Sequence, residues 1–254
     1  RLPQRSSFYA NAESGMKWGS YPRNAQRMAE DAVQAALREG IPFDQHLDKL
    51  GQGIVTALFI VHAGRGAEEL HESIAGSEIW SHKWALRAPI KVGPDLFASI
   101  YLTVPEDCKV GVCAHELGHL AFQWQDFYDA DGKGKNGIIW SGSGSWDLMA
   151  GGSWNGGGSR PAHPAALHKV QHQWVEVHRI DEGSGEAVEV LLAPHEAGQT
   201  SILRIDSRHY KPGQYLLLEN RRRAGFDNAL PGEGLLVWRV DESGEQESPH
   251  GSGL

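Results

Sequence analysis

Residues 106–129 read EDCKVGVCAHELGHLAFQWQDFYD, and inside this stretch His115-Glu116-Leu117-Gly118-His119 forms an H-E-x-x-H pattern. On an α-helix, residues four apart lie one turn above each other on the same face. His115 and His119 can therefore direct two imidazoles at one ion while the Glu116 carboxylate stays free. That arrangement suits a zinc ion held by two neutral imidazoles, with Glu116 placed to take a proton from a metal-bound water. With 13 His in 254 residues, the pattern arises somewhere by chance in roughly one such chain in twenty, so the motif alone does not decide the matter. The bland reading is a surface helix that happens to carry two His. Val110, Val112, Leu117, Leu120 and Ala121 argue for an amphipathic to buried helix instead, in which two unpartnered imidazoles would be costly. Glu106 and Asp107, after Pro105, stand where the helix is expected to begin.

A catalytic zinc needs a third protein ligand and one open position. The metzincin pattern HExxHxxGxxH supplies a third His, after a Gly that turns the chain back. Here the Gly position is Phe122 and the His position is Gln125, so neither fits. Asp126 and Asp129 follow closely, and a carboxylate is a legitimate zinc ligand. Asp126 is the expected third ligand, near enough for a tight turn to bring it back, with Asp129 as the alternative. Met149, in Gly142-Ser143-Gly144-Ser145-Trp146-Asp147-Leu148-Met149, is the candidate for a Met-turn beneath such a site. A core methionine fits that position equally well.

HELGHLAFQWQDFYD, GSWDLMAGGSWN and QYLLLENRRRAGFDNALPGEGLLVWRVDE, with IVTALFIVHAGRGAEE and IWSHKWAL upstream, together resemble the immune inhibitor A family of secreted bacterial zinc metalloproteases. The resemblance runs from about Trp18 to Glu242. It implies a metzincin-like catalytic domain, with a mixed sheet and an active-site helix, over 1–182; beyond Asp181 the pattern changes to short strands, a smaller β-rich region over 183–254, so the fold class expected is α+β. It also implies an endopeptidase acting on extracellular proteins or peptides, zinc on His115, His119 and Asp126, and Glu116 as general base. Secretion, a pro-segment and first strands upstream of Arg1 belong to the same implication. Family members often read P-D-x-Y-D where this chain has Gln125-Asp126-Phe127-Tyr128-Asp129; the Asp matches and the Pro does not.

Composition sets outer bounds. A chain of 254 residues holds one large or two smaller domains. The net charge of −8 disfavours nucleic acid and anionic membranes as partners. The longest apolar run, Ile54 to Val61, is too short to span a bilayer. No signal peptide is visible, and the chain opens on Arg1. Cys108 and Cys113 are the two cysteines. If both sat on the active helix, their Cα atoms would stand about 7.5 Å apart along its axis, too far for a disulfide. Two free, buried thiols are therefore expected; a helix starting only after Cys108 would instead permit a small bridged loop.

Along the chain, Arg1 to Pro22 reads as irregular. Asn24 can cap a helix to about Arg38, with Gly40 as its stop and Met28, Ala32, Val33, Ala36 and Leu37 as its apolar stripe. Ile54 to Val61 reads as a central strand. Lone His62, His71 and His82 are expected to be hydrogen-bonded structural groups. Phe97 to Val104 reads as a strand, and its place before the active helix, with the family resemblance, implies the sheet edge to which an extended peptide adds. Asp129 to Asn136 reads as a plain loop; the rival reading is a calcium site on Asp129, Asp131 and Asn136. Trp146 and Trp154, in a Gly-rich segment, are candidate cleft walls. The position two after Met149 is Gly151, so no residue is assigned to the oxyanion. Pro164 suits the first turn of a helix to about Val175. Ala187–Leu192, Ser201–Ile205, Gln214–Glu219 and Leu235–Val240 read as strands. Arg221-Arg222-Arg223 reads as a solvated loop, and the tail from Ser243 as disordered.

Three function classes follow: peptide-bond hydrolysis by a zinc-activated water, a catalytically silent zinc-bearing module that binds a surface ligand, and a zinc hydrolase of non-peptide amides. Glu116 favours the first over the second, because a structural zinc has no use for that side chain.

Overall fold

The computed structural model describes residues 1–129, 140–182, 189–193 and 201–242. The chain divides into two compact units, Arg1–Gln123 and Trp124–Leu254. Among the described residues the fold is mixed α/β, with two sheets and few, mostly short helices. No helix among them is long and apolar enough to cross a membrane.

In the first unit, β1 (Phe59–His62), β2 (His82–Gly93) and β3 (Leu96–Pro105) form a sheet in the order β1-β3-β2. β3 pairs parallel to β1, from Phe59↔Leu102 to His62↔Pro105, and antiparallel to β2. Two expectations are corrected here. β3 is the central strand of the three, with β2 along one side and β1 on Leu102–Pro105 of the other, so it is not the edge strand of this sheet. The Ile54 to Val61 run is not a central strand: it reduces to the edge strand β1 and a single bridge, Ile54↔Phe97. Its continuous apolarity reads as burial on both faces, yet Phe59 and Val61 are exposed, so only one face is covered.

Helix α1 (Ser6–Ala10) lies in the stretch read as irregular, where Tyr9 and Ala10 are buried. Helix α2 (Ala25–Arg38) starts as its cap dictates, with the Asn24 side chain accepting from Arg27 N at 3.2 Å. It ends at Gly40, whose φ of 69° is the left-handed conformation that favours glycine. Ala29 and Val33 pack on Leu86, Ala98 and Tyr101 of the sheet. The short helix α3 (Glu72–Ala75) is capped by the His71 ring. His82 bonds the Trp80 carbonyl and the Tyr101 hydroxyl, and His62 the Ala63 carbonyl, as expected of structural histidines.

Pro105 ends β3, and the helix α4 (Val110–Phe122) follows after a short turn. Glu106 and Asp107 are not in the helix. Glu106 sits in the turn, donating its N–H to the His62 carbonyl at 2.8 Å while its carboxylate accepts from Gly64 N at 2.9 Å. These bonds tie the helix entrance to the end of β1. Cys108 also precedes the helix, so the premise behind widely spaced thiols fails; both thiols are free and half-buried. Leu120 packs with Leu102 and Val104 of β3, flanked by Leu117, Cys108 and Cys113.

In the second unit, β4 (Glu176–Glu182), β5 (Ser201–Ser207), β6 (Gln214–Arg221) and β7 (Gly234–Asp241) form a sheet in that order, with β4 and β5 parallel and the other pairs antiparallel. The first strand is therefore 176–182 and not 187–192. Residues 189–192 carry no strand, and Ala187 and Val188 lie outside the described residues. Helix α5 (Ala166–Gln171) is shorter than expected and begins beyond Pro164. Its Ala166 packs with Ile202, Tyr215, Leu217 and Val240.

Strand β6 alternates strictly, burying Tyr215, Leu217, Glu219 and Arg221 on one face. The last two are charged, and both are satisfied. Lys169 Nζ of α5 reaches Glu219 at 2.6 Å, and Trp238 Nε1 donates to Glu219 at 2.8 Å. Arg221 is fully buried and grips Asp227 with Nε and Nη2, both at 2.8 Å. Its Nη1 donates to Glu219 at 3.2 Å and to the Trp146 carbonyl at 3.3 Å. The solvated-loop reading of the arginine run thus holds for Arg222 and Arg223 and fails for Arg221. Period-2 alternation along β6 places Arg221 inward, whatever its charge. The tail from Ser243 lies outside the described residues.

Candidate metal centre

Helix α4 is apolar nearly all round, which is the pattern of a buried helix. Gly111 and His115 share one stripe, and Val112, Glu116 and Leu120 the next; all five are buried. The four-residue spacing brings the His115 and His119 rings together, with centroids 4.6 Å apart and planes at 88°. Their Nε2 atoms face each other at 3.0 Å. Two ligand nitrogens at ~2.05 Å from one tetrahedral ion would stand roughly 3.3 Å apart, so the spacing fits a shared cation with little adjustment.

The chain leaves α4 through Gln123, whose φ of 57° is left-handed and whose N–H bonds the Gly118 carbonyl. The left-handed residue is thus Gln123, one place beyond Phe122, where the metzincin pattern has its Gly. Asp126 comes just beyond it. Ligand-capable atoms of His115, His119 and Asp126 all lie within 4.8 Å of one another, in the one such group found among the described residues. Two imidazoles and a carboxylate are a donor set that zinc accepts, so the residues present fit the metal that the motif implies. Glu116 lies outside that group and is buried.

The segment that carries Asp126 is held on both sides. Phe127 N donates to the Met149 carbonyl at 2.8 Å, Ser143 N to the Phe127 carbonyl at 3.0 Å, and Asp129 N to the Trp140 carbonyl at 3.0 Å. Gly142 is required in this clamp: its φ is 60°, and a Cβ there would run into the Phe127 carbonyl. Met149 is fully buried. Asp147 is also buried; burial pushes its carboxyl up, opposed by the Ala165 N–H and the Ser143 hydroxyl that it accepts. On the other flank, the His168 ring is stacked between Trp124, at 4.3 Å, and Phe127, at 4.8 Å, and Trp124 Nε1 donates to His172 Nε2 at 2.9 Å.

Sequence reasoning did not single out Trp124, Phe127, His168 and His172 as neighbours, and no spacing signal pairs residues 124–127 with 168–172. Trp146 is half-buried, and Trp154 is exposed. Of the calcium candidates, Asp129 accepts the Trp140 N–H, while Asp131 and Asn136 lie outside the described residues.

A family model, immune inhibitor A peptidase M6, catalytic domain, matches residues 43–180, more than half of the chain. Immune inhibitor A of Bacillus thuringiensis subsp. alesti is 27% identical over 243 residues, which cover 81% of this chain and 34% of that protein. The pre-pro-metalloprotease PrtV of Vibrio cholerae serotype O1 (strain M66-2) is 31% identical over 122 residues, covering 43% of this chain and 13% of that protein. The chain thus spans about a third or less of the length of these relatives.

Proposed function

The chain belongs to the immune inhibitor A peptidase M6 family, and from that premise we propose that it is a zinc metalloendopeptidase that hydrolyses peptide bonds of extracellular proteins. Family membership supports a metalloprotease; the metal, the base and the mode of cleavage are our own reading. The observation that carries it is the convergence of His115, His119 and Asp126 within 4.8 Å, next to a glutamate that is not one of the three.

His115, His119 and Asp126 would hold the ion. When bound, zinc lowers the pKa of a coordinated water and polarises a carbonyl oxygen. The remaining work falls to this chain's own groups. The Glu116 carboxylate takes a proton from the attacking water and passes it to the nitrogen of the leaving amine. Burial of Glu116 beside the His pair limits its exchange with bulk solvent. The bond from Phe127 N to the Met149 carbonyl fixes the segment that carries Asp126, and the metzincin-like reading of the domain draws on that buried methionine. The catalytic part is proposed to occupy 1–182, an extent that the family match to residue 180 supports, with 183–254 as an accessory β-rich region. Through β4, one sheet continues across that boundary. Secretion is part of the same proposal.

The test is paired metal analysis and casein digestion of the wild type and Glu116→Gln. The variant should keep its zinc and lose at least about a hundredfold in turnover, the usual worth of a general base. Normal turnover in that variant would refute the role of Glu116. A wild type that binds zinc yet digests nothing, with or without chelator, would favour the silent binding module.

A further inference from the structure

Cys108 and Cys113 flank the entrance of α4, and their Sγ atoms lie 2.6 Å apart. That is well inside the distance at which two unbonded sulfurs rest, and only about half an ångström beyond a sulfur–sulfur bond of ~2.05 Å. We propose that these two thiols are an intrachain disulfide site whose closure pins the start of the active-site helix.

The approach is set by backbone on both sides. Cys108 is fixed in the turn after β3, its N–H bonded to the Pro105 carbonyl at 3.1 Å. Cys113 sits in the first turns of α4, its N–H bonded to the Lys109 carbonyl at 3.1 Å. On an unbroken helix, residues five apart stand too far from each other to be bridged. Because α4 starts only at Val110, that bar is absent. Both thiols are half-buried against Leu102, Val104, Leu117 and Leu120, so the pair is packed yet open to a small reagent. They are the two cysteines of the sequence, so no rival partner exists within it.

The oxidant is a small-molecule disulfide of the glutathione type. One cysteine sulfur displaces one glutathione thiol and forms a mixed disulfide; the other cysteine then displaces the second. Each cysteine loses its hydrogen, one sulfur–sulfur bond forms and one breaks, and two glutathione thiols carry away the two protons and two electrons. Oxidising compartments favour the closed form. The proposal does not depend on zinc or on peptidase activity.

The experiment incubates the purified full chain with oxidised glutathione, denatures it without reductant, labels it with N-ethylmaleimide and measures its intact mass. The expected product is lighter by two hydrogens and carries no label; after prior reduction it carries two labels. Reduction should lower the melting temperature by about 4–8 °C, from the closure of so short a loop in a chain of this size. The double variant Cys108→Ser/Cys113→Ser should melt like the reduced wild type and ignore reductant. If that variant does not fold, the wild-type mass decides alone. Two maleimide labels after oxidation, a retained glutathione adduct or a cross-linked dimer would overturn the site. A melting temperature indifferent to reduction would overturn the pinning.

Discussion

Replacing Arg221 with methionine removes one charge from a buried set that is otherwise balanced. Lys169 and Arg221 face Glu219 and Asp227, and all four are buried. After the change Glu219 keeps Lys169 at 2.6 Å and the Trp238 indole, so its loss is partial. Asp227 loses both guanidinium bonds at 2.8 Å and keeps the His163 backbone N–H at 2.9 Å and the His163 ring at 3.1 Å. One buried, poorly compensated carboxylate is the result, and breaking such a pair costs about 3–5 kcal/mol. In urea, with a slope of ~2 kcal/mol per molar, the midpoint should fall by about 2 M at pH 7; the nine tryptophans supply the signal.

The penalty should also depend on pH. In the wild type, burial works to raise the Asp227 pKa, but bonds from His163 and Arg221 outweigh it and hold the carboxyl far below the usual range. A folded pKa below the unfolded ~3.9 means that Asp227 stabilises the fold above about pH 4, and that this is lost as pH falls through the folded value. Without Arg221, burial dominates and the folded pKa rises above the unfolded one. The variant's deficit then grows as pH rises above about 4 and shrinks below it. Adding Asp227→Asn, a neutral isostere that still accepts the His163 N–H, should recover at least about 2 kcal/mol at pH 7. A single variant within about 1 kcal/mol of the wild type at pH 7, or a deficit equal at pH 4 and pH 7, would refute the reasoning.

Three further outcomes are expected. Gly142→Ala places a methyl against the Phe127 carbonyl at a left-handed φ, so it should cost more than about 1 kcal/mol in thermal unfolding and lower zinc retention after dialysis; unchanged retention would separate this clamp from the metal group. At Gln123, φ 57°, Gly should be neutral or stabilising by up to about 1 kcal/mol, whereas Val should destabilise by at least ~1 kcal/mol; equal melting temperatures for the two variants would count against a left-handed turn there. Zinc added to metal-free protein at about 100 times its dissociation constant should stabilise it by ~2.7 kcal/mol, and His119→Ala should abolish that gain, as read by calorimetry with and without chelator.

The His115–His119 pair, the cap of α2 and the strand β3 were legible in the sequence because each rests on local spacing, whereas β2 was not read from it. Four residues make one helical turn, so His115 and His119 converge wherever the helix forms. Asn24 bonds an amide three residues on, and the β-rich run ending at Pro105 needs no distant partner to be read as a strand. What local spacing does not encode is which elements become neighbours. That β3 is central and β1 an edge, that Arg221 finds Asp227 and Glu219 in the interior, and that the His168 ring stacks between Trp124 and Phe127 all depend on contacts between residues far apart in the chain. The helix start at Val110 belongs to the same class: the bonds from the turn to His62 and Gly64 set it, against the propensity of Glu106 and Asp107 for a helix entrance, and with it the approach of the two thiols.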